Sequence, residues 1–314
     1  MKNQRRAYAF GLTTVLLWST VATAFKLSLR YLEPVQLLLY ANATSIVVLV
    51  VILAARGKLR LLLSYSRREY LRSLGLGLLN PFLYYLVLFE AYDRLPAQEA
   101  QPLNYTWAIT LSLLSIPLLR QKISVRDLGA AAVSYAGVVV ISTRGDVLSL
   151  TFSDAWGVAL ALGSTVIWAL YWIYNTRDDR DPVAALLLSF VFGFPFVLAA
   201  CAALSTPLVT SGPGLAGAAY VGVFEMGLTF VLWLSALRAS ENTARVSQLI
   251  FLSPFLSLVF IRFGLGEPIA TSTYAGLLLI VGGLLLRKRA GSNGKPGVAQ
   301  PADQGQSASP CPPT

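Results

Sequence analysis

Ten apolar runs, each close to the length that crosses a bilayer, constrain this chain more than any other feature. A transmembrane helix needs roughly 20 mostly apolar residues to span about 30 Å of hydrocarbon. Runs of that kind lie at about 7–25, 34–55, 71–92, 97–119, 127–142, 155–174, 183–205, 214–237, 243–262 and 272–287. The breaks between them carry turn or charge signals, such as Glu33-Pro34, Arg56-Gly57-Lys58, Asp93-Arg94-Leu95-Pro96 and Gly212-Pro213-Gly214. The runs are too long and too uniformly apolar for the alternation of a membrane barrel. The expected class is an all-α integral membrane protein.

Composition agrees and removes other classes. Only 13% of the 314 residues are charged, against about 25% in a soluble domain. The net charge of +10 would suit a nucleic-acid binder, but there are too few polar residues to build the solvated basic faces such proteins use. No histidine is present, which excludes Ser-His-Asp and Cys-His catalysis and HExxH metal sites. Two cysteines, Cys201 in an apolar run and Cys311 in a Pro-rich tail, make no disulfide or zinc framework. The reading is therefore a non-enzyme without cofactor or metal, whose partners are a small molecule and the lipid bilayer.

Basic residues orient the spans. With the N-terminus inside, 20 of the 25 Lys and Arg fall in cytoplasmic segments, leaving Lys26, Arg30, Arg94, Arg144 and Arg262 outside. A missed helix would scramble every later loop, so this bias supports the whole set. Both termini are expected in the cytoplasm, and the membrane is read as the inner, cytoplasmic one. Lys2, Arg5 and Arg6 ahead of an apolar stretch ending Ala22-Thr23-Ala24 also resemble a cleaved signal peptide. The internal repeat requires that segment as a permanent helix.

Sliding the second half over the first by about 146 residues exposes that repeat. Glu33-Pro34-Val35 recurs as Asp181-Pro182-Val183, Ala136-Gly137 as Gly282-Gly283, and Gly129-Ala130 as Ala275-Gly276. Five spans is an odd number, so the second copy must enter the membrane from the opposite side. The expected organisation is a cytoplasmic N-terminus (1–6), two inverted-topology five-helix repeats (7–142 and 153–288), and a disordered cytoplasmic tail (289–314) rich in Gly and Pro. Inverted repeats are the usual build of secondary transporters, with a site near the midplane.

The chain resembles the drug/metabolite transporter superfamily, specifically ten-helix EamA-type exporters with two EamA domains. Carrying the resemblance are Leu16-Leu17-Trp18-Ser19-Thr20, Leu95-Pro96-Ala97 leading to Asn104-Tyr105-Thr106-Trp107, Trp168, Leu252-Ser253-Pro254, and Leu265-Gly266-Glu267 followed by Gly282-Gly283. It covers about residues 7–288. Two departures stand out: Tyr40-Ala41-Asn42 lies where an arginine is often found, and Arg120-Gln121-Lys122 where Gly-Glu-Arg is common. The resemblance implies a cavity walled by the first, third, fourth, sixth, eighth and ninth helices.

Polar groups deep in hydrocarbon are candidates for function because they are costly there. Glu225 lies about 11 residues from either end of its span, or roughly 17 Å at 1.5 Å per residue. It would bind a substrate amine or exchange a proton during transport; the structural alternative is a protonated or base-paired Glu holding the bundle together. The repeat places it beside Asn80, which precedes the helix-kinking Pro81. Weaker candidates are the stripe Trp18, Ser19, Thr20 and Thr23, answered by Trp168, Tyr171 and Trp172; Tyr84 and Tyr85 one turn past Pro81; and Asn104 and Gln248 early in their helices. Aromatic walls with a few hydrogen-bonding groups suit a small amphiphilic metabolite or amino acid, although Trp and Tyr also anchor helix ends at the interface. Glu90 and Glu99 are expected at a wet rim with Arg94, Lys26 and Arg262 as snorkelling ends, and Asp178 to Asp181 as a solvated loop. The Gly/Ala-rich fifth and tenth helices read as close packing.

Three functions compete on this reading. A secondary exporter working by alternating access needs inverted repeats and midplane polar groups, and has them. A membrane lipid enzyme needs clustered acid/base or metal groups, which are lacking. A channel or lipid scramblase needs a polar stripe along a whole helix, where this chain has isolated points. Coupling to protons, or downhill facilitated export, and a monomer or homodimer are all compatible with it.

Overall fold

The structure, a computed structural model, describes residues 3–119, 125–148, 152–175, 178–241, 246 and 249–291. Among them are no strand, a short 3-10 turn at Leu59–Leu63 and ten longer helical segments: α1 (Gln4–Leu29), α2 (Pro34–Ala55), α3 (Arg67–Arg94), α4 (Ala97–Leu119), α5 (Val125–Ser142), α6 (Ala155–Asn175), α7 (Pro182–Leu204), α8 (Gly212–Ala239), α9 (Leu249–Leu265) and α10 (Thr271–Gly291). A helix satisfies its own backbone polar groups, which is what hydrocarbon demands of a spanning segment. The protein is an all-α membrane protein of two inverted five-helix repeats.

Caps account for where helices start outside the apolar runs. Asn3 accepts from the Arg6 amide, so α1 begins at Gln4 rather than at residue 7. Ser66 and Glu69 form a reciprocal capping box that starts α3 a turn before its apolar run. Asp181 accepts from the amides of Val183 and Ala184 at the head of α7.

The two repeats are interleaved, and the principal partners of most helices lie in the other repeat. Helix α1 packs on α8 and α9, and its counterpart α6 packs on α3 and α4. Helix α2 lies against α7 and α8, while α7 lies against α2 and α3. Helices α5 and α10 pair along their length. The Ser134 hydroxyl donates to the Ile280 carbonyl, 146 residues on. A pseudo-twofold relation follows: an added Cβ on Gly137 would lie 2.4 Å from the Gly276 carbonyl oxygen, and one on Gly283 would lie 2.5 Å from that of Ala130. These glycines let the backbones touch, as small residues do between membrane helices.

Neighbouring glycines give a controlled prediction. Gly283→Ala forces α10 off α5 and is expected to cost about 1–3 kcal/mol, the usual range for overpacking. Gly282 has nothing within 4 Å of its added Cβ, so Gly282→Ala should be neutral or slightly stabilising through helix propensity. Melting temperatures of the two purified variants, compared in one detergent, check this; equal losses would count against close packing at Gly283.

Candidate functional site

Four of the helices are interrupted in mid-span, and the interruptions obey the repeat. In α3 the turn widens over Leu78–Leu83, where Asn80 is extended (φ −144°, ψ 115°) and Pro81 has no amide hydrogen. In α8 the helix stops at Phe224 and resumes at Leu228, leaving Glu225, Met226 and Gly227 between its halves. Asn80 and Glu225 each stand at the centre of their helix. Helix α4 pauses at Thr106, and α9 changes winding at Leu252, again 146 residues apart. Irregular backbone at membrane depth is tolerated where it is buried in protein or lines a cavity, and broken helices of this kind build transporter sites.

Glu225 accepts a hydrogen bond from the Tyr85 hydroxyl at 3.1 Å. It has no Lys or Arg within salt-bridge distance among the described residues. The Tyr85 ring meets Tyr84 edge-on at 4.8 Å. Tyr84 in turn stacks on Trp168 at 4.4 Å, and its hydroxyl donates to the Asn104 Oδ1 at 3.4 Å. Asn104 Nδ2 donates to the Ser164 hydroxyl at 3.0 Å. Trp168 stacks with Tyr171 at 5.5 Å and meets Phe230 at 6.0 Å, and Trp18 meets the same Phe230 at 5.9 Å. An aromatic wall therefore runs from the Glu225 partner to Trp18, drawing on α1, α3, α6 and α8. Trp18, Asn104 and Glu225 remain half-buried, while Tyr84, Tyr85, Trp168 and Tyr171 are buried.

Unpartnered polar atoms border this wall. Asn80 is fully buried, with the Tyr171 hydroxyl as its polar neighbour. The Trp172 indole N–H, beside Trp168 and Tyr171, lacks a partner among the described residues. Elsewhere, in α2, both amide atoms of Asn42 are buried and without a partner among the described residues. Buried polar groups are nearly always satisfied, so such atoms mark places where a ligand or water completes the arrangement.

The structure brings most of the expected residues together, but not as a stripe on α1. Successive residues turn by about 100° around a helix, so Trp18, Ser19 and Thr20 face three ways. Trp18 joins the aromatic wall. The Ser19 hydroxyl lies against the Ser253 carbonyl and hydroxyl at 3.2 and 3.3 Å, at the break of α9. Thr20 lies 2.7 Å from the Tyr220 hydroxyl on the opposite side. Gln248 and the tail from residue 292 lie outside the described residues. Phe230, Ser164 and Ser253 were not expected at the site. Their only signal is spacing, since Phe230 stands five residues after Glu225 and Ser253 directly follows a break.

Both ends of the bundle are tied by polar networks. At one end, Arg180 Nη2 meets the Asp178 Oδ2 at 2.6 Å with both side chains only 3% exposed. Arg180 Nη1 also donates to the Ser73 hydroxyl at 2.8 Å and the Glu69 carbonyl at 3.2 Å, and its guanidinium lies 5.2 Å from the Tyr65 ring. Lys58 meets Asp181 at 2.7 Å. Burial alone would raise the Asp178 carboxyl, but the hydrogen bonds and charge of Arg180 outweigh it and hold it below the usual carboxylate range. The expected solvated loop is thus a buried ion-pair latch, because Arg180 reaches across to α3.

At the other end, Glu99 is 3% exposed, not rim-solvated, and pairs with Arg144 at 3.0 Å and with the Ser153 hydroxyl. Arg94 instead pairs with Glu90, as expected of that rim. Lys26 does not snorkel free: its ammonium donates to the Tyr92 carbonyl at 2.7 Å, near the end of α3.

Comparison with known proteins adds a family. The EamA-like transporter family model matches residues 5–143 and 155–287. The chain is 28% identical to an uncharacterized transporter, YvbV, of Bacillus subtilis, over 87% of this chain and 88% of that one. It is 25% identical to an uncharacterized transporter of Archaeoglobus fulgidus, covering 88% of this chain and 97% of that one. It is also 26% identical to a protein named aromatic amino acid exporter YddG from Ancylobacter novellus, covering 88% and 95% respectively. One crystal structure superposes with a TM-score of 0.65 at 21% identity, covering 94% of this chain and all of the other, a likeness of fold.

Proposed function

Because this chain belongs to the EamA-like transporter family, we propose that it exports a small amphiphilic metabolite, with amino acids as the first class to test, by alternating access of its two repeats. Membrane transport is its general role. The observation that carries the finer reading is the Glu225 carboxylate, held by Tyr85 in the break of α8 and lacking any basic partner among the described residues. A substrate ammonium is the natural counter-charge for such a group, and rings with a negative face attract a cation as well as an apolar body. The Trp172 indole N–H, without a partner among the described residues, supplies polar recognition farther along the wall. The name of the Ancylobacter novellus relative makes aromatic amino acids the leading candidates within that class.

In this mechanism substrate enters from the cytoplasm, the side that holds both termini, and leaves as the halves rock about the broken helices. The latch of Arg180, Asp178, Lys58 and Asp181 ties shut the cytoplasmic end, and the Glu99–Arg144 pair lies at the other. The test is a metabolite profile of medium and cells from strains overexpressing and lacking the protein. The expected result is extracellular enrichment of one or a few amines with apolar bodies upon overexpression, with intracellular build-up in the deletion. Identical profiles in both strains, or enrichment restricted to anions, would sink the reading.

A further inference from the structure

Away from the central wall, a crevice of about 640 Å³ opens between α1, the first half of α8, and α9. That is within the roughly 300–1,000 Å³ of small-ligand sites. Its walls are apolar: Ala24 and Leu27 from α1, Pro213 and Gly217 from α8, Val259 and Phe263 from α9. Most of its hydroxyls are already engaged, Ser28 with the Ala24 carbonyl and Thr20 with Tyr220. At the mouth, Phe263 is 85% and Val259 50% exposed. On a transmembrane helix such faces meet hydrocarbon, so the crevice is continuous with the lipid-facing surface. Left empty, it would forfeit the dispersion contacts that a filled interior has.

The rim is cationic. Arg30 follows α1 directly and Arg262 lies in the last turns of α9, each within two residues of a crevice-lining side chain. Both are exposed and have no ion pair among the described residues. Glu33, the acid on the same turn, is occupied at the capping box of α2. Tyr31, 55% exposed at this level, is the kind of residue that sits among headgroups. A long apolar slot beneath two unpaired guanidinium groups matches one amphiphile: an acyl chain below a phosphate.

We propose that this crevice binds one anionic diacyl phospholipid, an acyl chain lying between α1, α8 and α9 and the phosphate resting on Arg30 and Arg262. With both termini in the cytoplasm the site belongs to the outer leaflet. A lipid there wedges between α1 and the two broken helices of the second repeat, the elements that must move in transport.

The test uses the purified full-length protein in detergent, titrated with dioleoyl phosphatidylglycerol or dioleoyl phosphatidylcholine and read by native mass spectrometry and by melting temperature. One phosphatidylglycerol is expected to stay bound and raise the melting temperature, with phosphatidylcholine held far more weakly. Arg30→Gln combined with Arg262→Gln should weaken phosphatidylglycerol retention roughly tenfold, since each basic residue near a membrane surface contributes to anionic-lipid binding. Ala24→Phe fills the crevice without altering the rim and should abolish retention of both lipids; Val259→Trp, on the facing wall, is the second filler should the first fail to fold. Equal phosphatidylglycerol retention by wild type, the arginine pair and a folded filler overturns the proposal. So does a lipid-free dimer that the filler variants dissociate, which would assign the crevice to a second copy. None of these readouts depends on transport.

Discussion

Glu225→Gln is expected to lower transport in proteoliposomes by roughly ten- to a hundredfold while leaving the purified protein folded. The estimate rests on removing one charge-assisted contact to a substrate ammonium, worth about 1.5–3 kcal/mol where donor or acceptor is ionised. A glutamine keeps an oxygen that accepts from the Tyr85 hydroxyl, so the break in α8 retains its cross-helix tie to α3. Folding and function therefore separate in this variant. Tyr85→Phe is the complementary change: it leaves the carboxylate but removes the hydroxyl that donates to it, and a smaller loss is expected. The pH profile adds a second reading. If Glu225 carries a proton through the cycle, wild-type transport varies with pH and the Gln variant is flat; if export is downhill and facilitated, the two profiles have the same shape. Normal transport by Glu225→Gln, with an unchanged pH profile, would remove this residue from both roles.

What was legible in the sequence follows from the range of the interactions involved. The apolar runs and the offset of 146 residues report backbone satisfaction and internal symmetry, which are written locally, and the helices and their interleaved packing follow them. Pro81 announced the break beside Asn80 in the same local way. The matching break at Glu225 has no proline and is marked only by Gly227 and the polar residue itself, so the sequence singles out Glu225 by its depth in the span and leaves the break unannounced. Side-chain pairings across the bundle were less legible. Arg180 reads as loop charge until α3 places Ser73 and the Glu69 carbonyl within its reach. Glu99 reads as a wet rim until Arg144 and Ser153 close over it. On α1 the expected stripe divides: Trp18, Ser19 and Thr20 are consecutive and face three ways, while Thr20 and Thr23, three residues apart, line one crevice together.

Arg180→Met is expected to cost about 3 kcal/mol of stability, the low end for breaking a buried ion pair, because the cluster sits at an aqueous end of the bundle. The loss arises less from the missing attraction than from Asp178, left 3% exposed with only Arg72 at 3.9 Å. Arg180→Met combined with Asp178→Leu should recover most of it, because a buried pair replaced whole by apolar groups is often neutral. The sign of the pH dependence is fixed by the lowered Asp178 and Asp181 carboxyls. A carboxyl lowered in the folded state contributes stability that is present above its unfolded value and is lost as pH falls through the folded one. Wild type should therefore keep this contribution until pH falls below about 4, whereas in Arg180→Met the unpaired buried Asp178 takes up a proton more readily, so the gap between the two is widest at neutral pH and narrows on acidification. A gap that does not change on acidification, or a double variant as unstable as the single one, would show that the latch does not hold α3 to the α6–α7 connection. If it does hold, the same variants report on transport. This end is closed by charge, whereas where α2 meets the α7–α8 connection the corresponding ties are neutral, Gln36 to the Thr206 carbonyl and Tyr40 to the Pro207 carbonyl. Both sets of ties join the first repeat to the second, one through a buried ion pair and the other through neutral hydrogen bonds.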